Sequence, residues 1–283
     1  MIEEFAPISV HAPRAPQYYH PPLQVAEDTW LIRQLQGEKE APVGVYINSL
    51  VILGKEPVIV DTGSPANRQQ WLADVQSLVD PKEVKWIYIS HDDVDHTGNL
   101  AETLELCPDA TLVSNWFQLE RMTCELSFPL HRTRWVNDGE TFSVGDRELA
   151  AIRPPVYDSP TTRGLYDSKT GVYWGSDFFA TPVLEPVDNA GDMDRAFWEQ
   201  GLWQFHSLLA PWHTMLDEGK FQREVDRIAE LDLKVAVGAH SPPTMGKDIE
   251  TVITAIRKLP TADPAPMPGQ EVLEQMVAEM SGH

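Results

Sequence analysis

The run VKWIYIS, Val84 to Ser90, is aliphatic and aromatic enough to be a buried strand, and the six residues after it are HDDVDH. This pairing constrains the chain more than any other feature. Carboxylates packed this closely beyond a buried strand repel one another unless a cation neutralises them. His91, Asp93 and Asp95 alternate with Asp92 and Val94, and His96 follows directly. On an extended or turning backbone that spacing sends three side chains to one side. Imidazole nitrogen and carboxylate oxygen together suit a divalent transition metal, and four such donors within six residues exceed what one tetrahedral ion takes locally. Two adjacent metals are therefore expected. A single His or Asp in HTGNL would more simply cap the following helix, so the weight lies on the cluster as a whole.

The surroundings place this loop on a layered scaffold. VYINSLVIL and VIVDTG are two β-branched, aliphatic-rich runs separated by Gly54-Lys55-Glu56-Pro57, which reads as a hairpin ending at Asp61. PANRQQWLADVQSLVD has apolar residues at helical spacing and stops at Asp80-Pro81. Asp61 and His91 each stand just past a strand end, where α/β folds build their sites. A helix is expected near Leu100 to Leu106, then a strand at ATLVSN, and hairpins at TFSVGDRELAAI and GLYDSKTGVYWGSD. Helical spacing runs from Met193 to Leu231, and KVAVGAH is a last buried strand ending at His240. Two groups of strands with helices between and after them predict an α/β four-layer αββα sandwich over residues 1–258. Residues 259–283 read as a proline-rich linker with a short amphipathic tail, Glu271 to Met280.

Bulk properties exclude several functions. A chain of 283 residues with 42% hydrophobic and 23% charged residues is globular. Its net charge of −21 opposes phosphate backbones and anionic lipid, so neither nucleic acid nor a membrane surface is an expected partner. Cys107 and Cys124 form neither a CxxC pair nor a disulfide framework, which fits free thiols in a reducing compartment. MIEEFAPISV is acidic where a signal peptide is basic, and no apolar run approaches a membrane span. A cytoplasmic location is the expectation.

HDDVDHTG resembles the HxHxDH signature of the metallo-β-lactamase superfamily, and specifically its HxExDH variant in flavodiiron proteins and their stand-alone oxygen-binding relatives. The resemblance extends over about residues 43–243 through VGVYINSLVI, VIVDTG, YWGSDFFA and VAVGAHSPP, in the family's order. It implies that His91 and Asp93 serve a first metal, that Asp95, His96 and His240 serve a second, and that Asp177 bridges the two. Asp61 matches a position that supports the metal loop without ligating. Read alone, Asp177 is a turn residue and His240 a core histidine.

Three departures follow. The family's further histidine on the first metal is absent from IRPPVYDSPTTRG, where Pro155 falls at its place. Either the first half is incomplete and the site mononuclear, or Asp158, or less readily Tyr157, replaces it from a shifted loop. His206 and His213 are further candidates, each with a core or surface role as its simpler reading. Asp93 stands where flavodiiron proteins carry Glu, and its oxygen favours iron or manganese over zinc. Too few residues follow His240 for the flavodoxin-like domain that holds FMN, so this chain alone is expected to bind iron, one or two ions, without FMN.

The leading expectation is an oxidoreductase that binds or activates O2 or NO at non-haem iron, served by a separate electron-donor protein, with a second copy of the chain as another candidate partner. Asp93, Asp158 and Tyr157 are its candidate catalytic groups. The alternatives are a metal-dependent hydrolase of a small ester, lactone or phosphoester, with Arg153 or Arg163 holding an anion, and a non-enzymatic sensor of diatomic gas.

Overall fold

A computed structural model describes residues 17–37, 42–124 and 126–281. The acidic N-terminal decapeptide lies outside the described residues. Among those described, one sheet carries β1 (Gln17–Ala26), β2 (Thr29–Gln36), β3 (Val45–Ile52), β4 (Val58–Val60), β5 (Trp86–Tyr88), β6 (Thr111–Ser114) and β7 (Thr133–Trp135) in that order. With it run helices α1 (Arg68–Leu78), α2 (Val94–Thr97), α3 (Leu100–Leu106) and α4 (Trp116–Met122). The other sheet comprises β8 (Thr141–Ser143), β9 (Glu148–Ile152), β10 (Gly164–Asp167), β11 (Val172–Trp174), β12 (Val235–Val237) and β13 (Thr244–Met245), in the order β13-β12-β11-β10-β9-β8. Helices α5 (Arg195–Leu209), α6 (Glu218–Ala229), α7 (Asp248–Ile256) and α8 (Gln270–Ser281) complete the chain.

The four layers follow from the two-residue period of a strand. Val58 and Val60 enter the core between the sheets, whereas Ile59 faces α1 and α3. Tyr88 and Val113 point inward; Ile87, Ile89 and Leu112 point outward. The second sheet repeats the rule, with Val172, Trp174, Val235 and Val237 facing the first sheet and Tyr173 and Ala236 facing the helices. Helices α5, α6 and α7 cover that outer face through Trp198, Leu202, Phe221, Val225, Ile228, Val252 and Ile256. The expected αββα sandwich is the fold observed.

Most expected elements occupy their places. The first hairpin is β3–β4, pairing Leu50 with Val60, and the next helix spans Arg68–Leu78. Helical spacing across Met193 to Leu231 resolves into α5 and α6, separated at Pro211, which lacks the amide a continuing helix needs. The β1–β2 pair was not read from the sequence. Packing continues past Lys258: Leu259 is fully buried and His213 Nε2 lies 3.2 Å from the carbonyl of Ala262.

Strands β4, β5 and β6 are parallel, as are β11 and β12, so the loops leaving β4, β5, β11 and β12 gather at one end of the sandwich. Gly238 allows two of them to touch: a Cβ there would stand 2.2 Å from the Phe178 carbonyl oxygen.

Candidate metal centre

Three histidines converge with their Nδ1 atoms already engaged. His96 Nδ1 lies 2.9 Å from Asp61 Oδ2, His240 Nδ1 is 2.7 Å from the Tyr46 carbonyl, and His91 Nδ1 is 3.0 Å from Ser176 Oγ. Donation from Nδ1 leaves Nε2 a bare lone pair, the form in which imidazole ligates a metal. All three Nε2 atoms face Asp177. His91 Nε2 lies 3.5 Å from Asp177 Oδ2, while His96 Nε2 and His240 Nε2 lie 2.9 and 3.3 Å from Asp177 Oδ1. One carboxylate thus presents a different oxygen to each side.

The remaining acids divide between the two sides. Asp95 Oδ2 is 3.1 Å from His240 Nε2 and 3.7 Å from His96 Nε2. Asp93 Oδ2 is 3.6 Å from His91 Nε2, and one oxygen of Asp158 completes a trio with them in which all ligand atoms lie within 4.8 Å of one another. The first group is therefore His91, Asp93, Asp158 and Asp177; the second is Asp95, His96, His240 and Asp177.

Polar satisfaction tests whether this cluster suits metal ions. His91 Nε2, His96 Nε2, Asp177 Oδ1 and Asp158 Oδ1 are buried without a hydrogen-bond partner. At 2.9 Å, His96 Nε2 and Asp177 Oδ1 are two lone pairs face to face, an arrangement that a cation or a proton must bridge. Burial opposes charging His96 and His240, but Asp177 and Asp95 outweigh it, raising His96 well above the ordinary histidine range and His240 to about 10. For Asp177 burial likewise opposes ionisation, and the His91, His96 and His240 rings reverse it, holding the carboxyl well below its usual range. Such a field draws in positive charge, and the donor set fits two divalent ions.

A second layer fixes these donors. Asp61 is fully buried and accepts hydrogen bonds from Ser90 N (2.6 Å), Ser90 Oγ (2.6 Å), His96 Nδ1 (2.9 Å) and Trp174 Nε1 (3.0 Å). Ser90 Oγ meets Ser176 Oγ at 2.8 Å, which links Asp61 to His91. Among the described residues, the non-glycine residues with positive φ are Asp61 (57°), Ser176 (58°) and Phe179 (75°), all in the loops that carry the cluster. Strain of this kind persists where surrounding bonds hold it. Phe205 stacks on the His240 ring at a centroid distance of 5.6 Å.

Several expectations are corrected. Tyr157 stands apart from the cluster: its ring packs against Trp212 with Arg153 above it, lining a separate cleft, while the next residue, Asp158, faces His91 and Asp93. Arg163 is not available to an anion, since its guanidinium is buried against the carbonyls of Val136 and Ile89 and Gln118 Oε1. His206 and His213 keep the simpler role expected of them, as buried core histidines donating toward the carbonyls of Leu202 and Ala210. Asp92 belongs to a loop anchor with Arg121, Ser159 and Thr161. Ser90 and Ser176 were missed; a serine directly before His91 and another directly before Asp177 were the available signal.

Residues 45–241 match the ODP family beta lactamase. The chain belongs to that family. A nitric oxide reductase of Moorella thermoacetica is 21% identical to this ODP-family chain over 214 residues, covering 75% of the chain and 52% of the relative. Among solved structures, rubredoxin oxygen:oxidoreductase from Desulfovibrio gigas superposes with a TM-score of 0.73 at 16% identity, covering 84% of this chain and 61% of that one. The flavodiiron protein from Giardia intestinalis does so with a TM-score of 0.72 at 15% identity, covering 86% and 60%. The ODP-family chain thus spans less than two thirds of each of these proteins, and the structural likeness establishes the metallo-β-lactamase fold.

Proposed function

We propose that the cluster is a non-haem iron site with room for two divalent ions, one on each side of Asp177, and that the protein is an oxidoreductase acting on O2 or NO with electrons from a separate donor protein. The observation that carries this reading is the split of Asp177, Oδ2 toward His91 and Oδ1 toward His96 and His240. The names of the Moorella and Desulfovibrio relatives, a nitric oxide reductase and an oxygen oxidoreductase, support the substrate class.

Iron held by these residues would supply reversible one-electron chemistry toward diatomic gases. The chain's residues supply the setting. Four carboxylates, Asp93, Asp95, Asp158 and Asp177, offset the charge of two divalent ions, and anionic oxygen favours the higher oxidation state over an electrophile for water. That balance supports redox work over hydrolysis. Asp61, Ser90 and Ser176 hold the imidazoles in the tautomer that presents Nε2, and Phe205 keeps water from one face of His240. Asp93, with 49% of its side chain exposed, is the donor on the solvent side.

Anaerobic reconstitution with ferrous iron followed by NO or O2 tests the proposal. The expected result is a change in visible absorption and, with a chemical reductant, continued gas consumption. An iron spectrum unaffected by either gas, together with efficient ester or phosphodiester hydrolysis by the zinc-loaded protein, refutes it.

A further inference from the structure

We infer that the two halves of the centre take different metals, the His91 half a manganese(II) ion and the His96/His240 half an iron(II) ion. This rests on the reading of the cluster as a dinuclear metal site and adds to it a difference between its halves. Around His91 the donors are one imidazole and three carboxylates, Asp93, Asp158 and Asp177 Oδ2. Around His96 and His240 they are two imidazoles and two carboxylates, Asp95 and Asp177 Oδ1.

Exposure reinforces the difference in donor type. Asp93 is 49% exposed on the His91 side, so an ion there keeps water within reach. On the other side the His96, His240 and Asp95 side chains are 1%, 10% and 26% exposed. Carboxylate and water ligands suit manganese, whereas imidazole suits iron and the later divalent metals. Iron(II) outranks manganese(II) at any given donor set, so a limited supply of iron goes first to the half whose two imidazoles suit it.

The difference traces to Asp158. It is the single donor from the loop after β9, and its Oδ1 is buried with no hydrogen-bond partner. A histidine at this position would give both halves two imidazoles.

The test is anaerobic reconstitution of the full chain with equimolar Mn2+ and Fe2+, then anomalous difference diffraction above and below the iron and manganese edges. Iron is expected in the His96/His240 half and manganese in the His91 half, and a first substoichiometric equivalent of iron alone should enter the His96/His240 half. Asp158→His should lower the manganese-to-iron ratio of the His91 half at least tenfold. Asp158→Asn should empty that half while the other retains its ion, which also reports that the variant is folded. Equal iron in both halves of the wild-type protein, or an unchanged ratio in Asp158→His, overturns the inference and leaves the dinuclear reading standing. No bound metal in either half overturns both.

Discussion

Replacing Asp61 by Asn is the sharpest probe of how the fold prepares the centre. The substitution keeps size, and Asn tolerates the φ of 57° at this position better than most residues. What changes is the count of acceptors. Asp61 Oδ2 accepts from Ser90 Oγ, His96 Nδ1 and Trp174 Nε1, and Oδ1 from Ser90 N. An amide retains one oxygen. With that oxygen in the Oδ2 position, the NH2 faces the Ser90 amide and orphans a buried donor; the opposite orientation costs more, because Trp174 Nε1 and His96 Nδ1 then face a donor. One lost bond with its orphan costs about 1–3 kcal/mol, and the three others fall from charge-assisted to neutral strength, so the sum is about 4 kcal/mol. For a chain of this size that lowers the melting temperature by roughly 10 °C. Weaker orientation of His96 should also reduce metal affinity about 10- to 100-fold, the usual effect of removing such a support. Calorimetric melting of the metal-free protein and titration with Fe2+ or Zn2+ against a chelator measure the two effects separately. A lower melting temperature with affinity within twofold of wild type would refute the orienting role and leave Asp61 a purely structural acid.

Two further outcomes are expected. His240→Ala removes a donor that lies within 3.3 Å of both Asp95 and Asp177, so elemental analysis should find that the variant has lost most of the metal of its half; full metal content would defeat the assignment. Burial pushes the Cys107 thiol up to about 11, whereas Cys124 is exposed, so a thiol reagent at pH 8 should modify one cysteine quickly and the second only after denaturation. Two equally fast thiols would show that the α3 end opens readily.

The sequence by itself determined the alternation of the strands and the chemistry of the loops. Val58, Ile59 and Val60, or Val235, Ala236 and Val237, are apolar at every position because both faces of each sheet are covered, and that is a local pattern. The density of charge in the HDDVDH loop marks it as a candidate ligand cluster, and Asp158 is the nearest metal-competent side chain on its own loop. Which atoms face which was not local. Asp177 lies 86 residues beyond His91, and only the parallel pairing of β4 with β5 and of β11 with β12 brings its two oxygens between the halves. The choice between Asp158 and Tyr157 turned on which side of one loop faces inward, and the fates of His206 and His213 on the nearest backbone carbonyl in their own helix or turn. The Asp61–Ser90–Ser176–His91 chain joins residues from three separate loops, each an ordinary serine or aspartate in sequence. Side-chain identity sets which metals can bind, whereas tertiary contacts set the tautomer, the burial and the unpaired electron pairs that make binding favourable.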